Sequence, residues 1–112
     1  MKKIVLFFLL TSCANMSTEP EHVKASYVSP QKYANFDCKM LVSEYGGLKQ
    51  HEKVLVDAQR RRVDDSYSQA LMFGGIGKGD GVEAFELASV RGQIIAVKKN
   101  YQSKNCMKVS SK

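Results

Sequence analysis

The chain has 112 residues, a formal charge of +6 and a pI near 9.3, which bounds it to one small domain. Aromatic residues make up 9% and tryptophan is absent, so a large aromatic core is excluded. The basic excess is mild and lacks the density of a nucleic-acid-binding surface.

Met1 to Cys13 is the most informative stretch. Lys2 and Lys3 precede an apolar run from Ile4 to Leu10, which ends in Thr11, Ser12 and Cys13. A basic start, a short apolar run and a small-residue cleavage site are the parts of an export signal. The run is too short to span a bilayer, which takes about 20 apolar residues. Leu10-Thr11-Ser12-Cys13 resembles the lipobox of bacterial lipoproteins, whose cysteine is acylated and becomes the mature N-terminus. That resemblance implies a lipoprotein signal peptide over 1–12 and palmitate-type acylation of Cys13. Ala14 after the cysteine, where an aspartate would retain the protein at the inner membrane, implies the periplasmic face of the outer membrane. The alternative is an ordinary cleaved signal with a chance cysteine.

Loss of Lys2 and Lys3 with the signal takes the charge from +6 to +4, and export separates the chain from chromosomal DNA. A basic patch would then meet lipid phosphates, lipopolysaccharide, cell-wall polymer or an acidic partner, with no nucleic acid. With Cys13 carrying lipid, Cys38 and Cys106 remain as an even pair in an oxidising compartment, which predicts a disulfide. Two free thiols, or a bond to another chain, are the alternatives. The stretch 13–28 reads as a lipidated, flexible tether, polar and without apolar period. His22 stands in it without a second ligand at metal spacing, and no metal or other cofactor is expected.

The folded region is predicted over 29–107, with 108–112 as a basic tail. Ser29-Pro30 looks like a helix start, Ser as N-cap and Pro at the first helical position. Ala34, Leu41, Leu48 and Leu55 then recur every seven residues, with Cys38, Tyr45, Glu52 and Gln59 four after each. This predicts one long helix over about 30–72, its cysteine on the packed face and its far end looser beyond Gln59. Arg60-Arg61-Arg62 and Asp64-Asp65 read as a solvated face. Gly46-Gly47 costs helix stability, about 1 kcal/mol each against alanine. A kink or the close approach of a neighbour would account for the pair, and close approach is the preferred reading.

Ala70, Leu71, Met72 and Phe73 form an apolar cluster before the glycine-rich turn over 74–81. They read as the last turns of the first helix, packing under the loop, with Leu71, Met72 and Phe73 as the alternative contact surface for a partner or membrane. The turn is no phosphate loop, because a Walker A motif needs glycine five residues before its Gly-Lys pair and Ser or Thr after it. Here those positions hold Met72 and Gly79. A second helix is predicted over about 82–105. Leu87, Val90, Ile94, Val97 and Tyr101 form its stripe, widened by Phe85 and Ile95. Glu83 and Glu86 suit its positive end and the lysines its negative end. Lys98, Lys99, Lys104 and Lys108 are the alternative polyanion contact.

Pairing Cys38 with Cys106 makes the chain all-α, a two-helix antiparallel hairpin closed by a disulfide. Leu41 then lies near Tyr101 and Ser103, Leu48 near Ala96, and Leu55 near Ala88 and Ser89. Large residues meet small ones, as interdigitation requires. The segment past Arg62 overshoots the shorter helix or folds over it.

The chain resembles a group of small proteobacterial lipoproteins whose role is not established. The resemblance is carried by Ser29-Pro30-Gln31-Lys32-Tyr33 with Cys38 shortly after, Gly79-Asp80-Gly81, Leu87-Ala88-Ser89-Val90-Arg91-Gly92-Gln93, and Lys104-Asn105-Cys106. It implies a lipidated, disulfide-closed helical protein and transfers no catalytic residue. His51 beside Glu52 is the sole acid–base neighbourhood on the long helix, but adjacent helical residues diverge. The expected function is therefore a non-enzymatic interaction or accessory module of the cell envelope. Its partners would be the membrane, through the N-terminal lipid, and an envelope protein or a second copy. A binder of lipid phosphates, lipopolysaccharide or cell-wall polymer is the alternative.

Overall fold

The computed structural model describes residues 16–72, 74, 77 and 79–107. Among the described residues the fold is all-helical. Helix α1, Cys38–Met72, and helix α2, Val82–Ser103, pack against each other as an antiparallel hairpin. The ends opposite the glycine turn are closed by the Cys38–Cys106 disulfide.

The heptad leucines build the first half of the core. Leu41, Leu48 and Leu55 are buried against Leu87, Val90, Ile94, Ala96 and Val97. Cross-helix pairs fix the register: Arg62 Nε lies 3.0 Å from Glu83 Oε2, Arg91 Nε 3.0 Å from Glu52 Oε2, and Lys98 Nζ 5.8 Å from the Tyr45 ring centre. The register is the one that large-to-small pairing requires. At the disulfide end, Asn105 takes a left-handed backbone (φ 54°), a conformation that asparagine tolerates better than most residues. It breaks α2 so that Cys106 can turn inward.

The start of α1 differs from the expectation. Ser29 and Pro30 do cap a helix, but it is a short 3-10 turn, Pro30–Tyr33, with the Ser29 hydroxyl accepting from Gln31 N at 3.3 Å. Asp37 caps α1 instead. Its Oδ1 accepts the Met40 N–H at 2.8 Å, satisfying one of the amide donors a helix start leaves unpaired. The intervening turn drives Tyr33 sideways into the core, where it is 1% exposed and meets Phe36 edge to face at 5.2 Å.

Three further expectations are corrected. Beyond Gln59 the helix does not loosen its packed face: Gln59 and Ser66 are both fully buried. Phe85 and Ile95 do not widen the stripe of α2, being 76% and 46% exposed. Gly92, Ala96 and Asn100 are buried there instead. Finally, nothing approaches Gly46 or Gly47 within 4 Å of an added Cβ, so close approach does not explain the pair.

Residues 16–28 do not hang free as a tether. They form a strap that runs alongside α2 in the same direction and leads through the Pro30–Tyr33 turn to the start of α1. Its polar composition hides this because it is held by hydrogen bonds rather than by an apolar stripe. Where it crosses α2, Ser26 N donates to Ala88 O at 2.9 Å. A Cβ on Gly92 would lie 1.9 Å from Ser26 O, so only glycine admits the crossing.

Candidate functional site

The strap decides which ends of the hairpin are chemically distinct. It begins at the glycine-turn end. Ser17 N donates to Ser66 Oγ at 3.3 Å, and the Ser17 hydroxyl donates to Gly79 O at 2.5 Å. Thr18 grips Asp80 twice, backbone N to Oδ1 at 2.6 Å and hydroxyl to Oδ2 at 2.5 Å. The buried Gln59 Nε2 donates to both Thr18 O, at 2.6 Å, and Asp80 Oδ1, at 3.0 Å. Burial pulls the Asp80 pKa upward, but the hydrogen bonds from Thr18 and Gln59 and the Arg62 charge outweigh it and hold the carboxyl below its ordinary value.

Midway, Arg91 joins three segments. Its Nη1 donates to Pro20 O and Val23 O at 2.6 Å each, the carbonyls flanking the 3-10 turn Pro20–His22, while Nε pairs with Glu52 on α1. Glu52 also takes a hydrogen bond from Lys49 at 2.9 Å, which with Arg91 keeps its pKa below the usual range. The carboxylate beside His51 is therefore fully engaged in ion pairing, and His51 itself is exposed. Further along, Tyr33 Oη and Lys32 Nζ donate to Gln93 Oε1, and the buried Asn100 Nδ2 donates to Pro30 O at 2.8 Å.

The candidate residues thus divide between two ends. Leu71 and Met72 lie at the glycine-turn end, 72% and 78% exposed, so of the apolar cluster expected to pack under the loop only Ala70 is buried among the described residues. Tyr67, one turn back on the same side as Leu71, is also exposed. This is the end where the strap begins: the Ser66 hydroxyl donates to Met16 Sδ at 3.9 Å, and Cys13 precedes Met16 by three residues. Cys13 itself, the 1–12 segment, Phe73 and Lys108 lie outside the described residues. The part of α1 beyond Arg62 runs straight past the start of α2, and its inner face, Ser66 and Ala70, is buried.

Lys98, Lys99 and Lys104 lie at the opposite, disulfide end. Lys104 is already committed, its Nζ donating to Ala34 O at 2.7 Å and to Phe36 O. Lys98 leans over Tyr45, and Lys99 is exposed. Beside Lys98, an apolar groove of about 490 Å³ is lined by Leu41, Val42, Tyr45, Val97, Tyr101 and Met107.

The strap's contacts were missed by sequence reasoning because each uses a common polar residue. The available signal was Arg91-Gly92-Gln93, a charged, a flexible and an amide residue interrupting the packed face of a helix. Among the described residues no cluster of His, Cys, Asp or Glu could hold a metal ion, and no helix is long and apolar enough to cross a membrane. The chain matches no protein-family model, no curated protein and no solved structure.

Proposed function

We propose that this is a lipid-anchored envelope protein of the small proteobacterial lipoprotein type, a non-enzymatic interaction or accessory module acylated on Cys13 and held at the periplasmic face of the outer membrane. The observation that carries the reading is the strap. Locking of residues 16–18 to Ser66, Gly79, Asp80 and Gln59 leaves only Ala14 and Asn15 between the candidate acylation site and a rigid body. A lipid on Cys13 would then fix the hairpin close to the bilayer, where a loose tether would let it roam. The disulfide end, with its apolar groove and Lys98 and Lys99, becomes the surface offered to a partner in the periplasm.

Intact mass of the detergent-extracted native protein tests the reading. Acyl chains on an N-terminal Cys13 and the loss of two hydrogens for Cys38–Cys106 are expected. Cleavage at another site, or an unmodified cysteine, would overturn it.

Among the described residues the polyanion alternative is left with Lys98 and Lys99, since Lys104 is spent on backbone carbonyls. Both lie some 24 Å or more along α2 from its first turn, at about 1.5 Å per residue, and so far from the end nearest Cys13.

A further inference from the structure

We infer that the free end of α1 is a membrane-seating tip: Leu71 and Met72, with Tyr67 above them, enter the lipid surface beside the acyl anchor, and the hairpin stands on that end. The inference rests on the proposed acylation of Cys13, and it adds an orientation and a lipid-contacting surface that acylation alone does not require.

The argument begins from where the chain outside the described residues must lead. Three residues separate Cys13 from Met16, and extended chain spans at most about 3.6 Å per residue, so the acylated cysteine lies within about 11 Å of Met16. Met16 touches Ser66. Met72 is six residues past Ser66, about 9 Å farther along the helix axis at 1.5 Å per residue. An extended Ala14 and Asn15 therefore give the glycerolipid attachment point enough reach to lie level with the apolar end of α1.

The chemistry of the tip matches that position. Leu71 and Met72 are 72% and 78% exposed. Tyr67 has an apolar ring and a polar hydroxyl, the combination favoured at the headgroup level. Depth is limited from above by Asp65, seven residues before Met72 and so about 10 Å up the axis. Interfacial helices bury their apolar faces by about 5–10 Å, so the last two turns fit below the first carboxylate.

Phe85 provides the control. It is as exposed as Leu71, at 76%, but it sits on α2, whose start is level with Arg62 through the Arg62–Glu83 pair. That places it about 15 Å or more above the tip at 1.5 Å per residue. An apolar surface that merely sticks to lipid would use both residues, whereas a seated tip uses only Leu71.

The test places the photo-crosslinker p-benzoylphenylalanine at Leu71 and, separately, at Phe85 in the acylated full-length protein. Each protein is reconstituted in vesicles of phosphatidylethanolamine and phosphatidylglycerol, and intact mass is read before irradiation. At least fivefold more lipid adduct at position 71 than at 85 is expected. Equal adducts at both positions, none at 71, or adducts at 71 only to a second copy of the chain would overturn the tip while leaving the acylation reading standing. A mass without acyl chains would overturn the lipoprotein reading, and this inference with it.

Discussion

Replacing Gly92 by alanine tests whether the strap is a structural element. The new Cβ would sit 1.9 Å from Ser26 O, 2.9 Å from Val28 Cγ2 and 3.0 Å from Ser26 C. Two of these are backbone atoms, so no rotamer change relieves the clash. Restoring even a close C···O contact of ~3.3 Å moves the strap by about 1.4 Å, enough to break the 2.9 Å bond from Ser26 N to Ala88 O. Overpacking costs about 1–3 kcal/mol and the lost bond about 0.5–1.5 kcal/mol. The better helix propensity of alanine returns about 1 kcal/mol. The net is a loss of about 1–3 kcal/mol, or a fall in Tm of roughly 5–20 °C for a domain of this size. Gly47→Ala is the matched control, because its Cβ meets nothing within 4 Å. It should raise stability by about 1 kcal/mol. Thermal unfolding followed by circular dichroism, with Cys13→Ala in both to prevent acylation and the disulfide oxidised, reads the pair. A Gly92→Ala protein as stable as its parent would refute the tight crossing.

Three further outcomes follow from the same contacts. Cys38→Ala with Cys106→Ala opens a loop of 68 residues and should lower the unfolding free energy by about 4 kcal/mol in the chain-entropy account, read as a lower denaturant midpoint. Arg91→Ala loses a salt bridge and two charge-assisted bonds to carbonyls and should cost about 2–3 kcal/mol. Arg91→Lys should restore little of it, because an ammonium cannot reproduce the guanidinium fork; hydrogen exchange of residues 20–26 would show the strap opening. Acidification should release the strap at its first residues. The Asp80 pKa lies below its unfolded value of 3.8 and that of Glu52 below 4.5. Their stabilisation is therefore complete above those unfolded values and lost as pH falls through the lower folded ones. Amide protection of Thr18 should be flat from pH 7 down to the unfolded Asp80 value of 3.8 and be lost only as pH falls further, through the lower folded value; loss nearer neutrality would show that Asp80 is not the latch.

The hairpin was legible in the sequence because its signals are repeated. Leu41, Leu48 and Leu55 share one period, α2 has its own stripe, and an even cysteine pair ties the ends, so class, register and disulfide follow together. The strap was illegible because it has no period. Ser17, Thr18, Gln59, Asp80 and Asn100 each make hydrogen bonds that any solvated polar residue could forgo, and composition does not distinguish a loose polar segment from a latched one. The start of α1 was misread for a related reason. Ser29-Pro30 is a sound cap for either kind of helix, and only the burial of Tyr33 against Gln93 and the competing cap at Asp37 decide that the chain turns again first.

The direction of the strap matters more for function than its presence. A tether leading straight into α1 would bring the N-terminus to the disulfide end, because α1 starts at Cys38. The lysines of α2 would then face whatever the N-terminus is fixed to. Instead the described chain begins beside Gly79 and Asp80, at the opposite end, travels the length of α2 beside it, and turns at Tyr33 into α1. Three independent fastenings hold that path: Thr18 on Asp80, Arg91 on the carbonyls of Pro20 and Val23, and Lys104 on those of Ala34 and Phe36. Releasing one leaves the other two, so the direction survives single substitutions even where stability does not. Under the proposed acylation of Cys13, a surface that meets a partner away from the membrane would lie toward the disulfide. In the groove between Tyr45 and Tyr101, substitutions of the exposed Val42, Lys98 and Met107 should leave the fold intact, because the core there is made by the buried Leu41 and Val97.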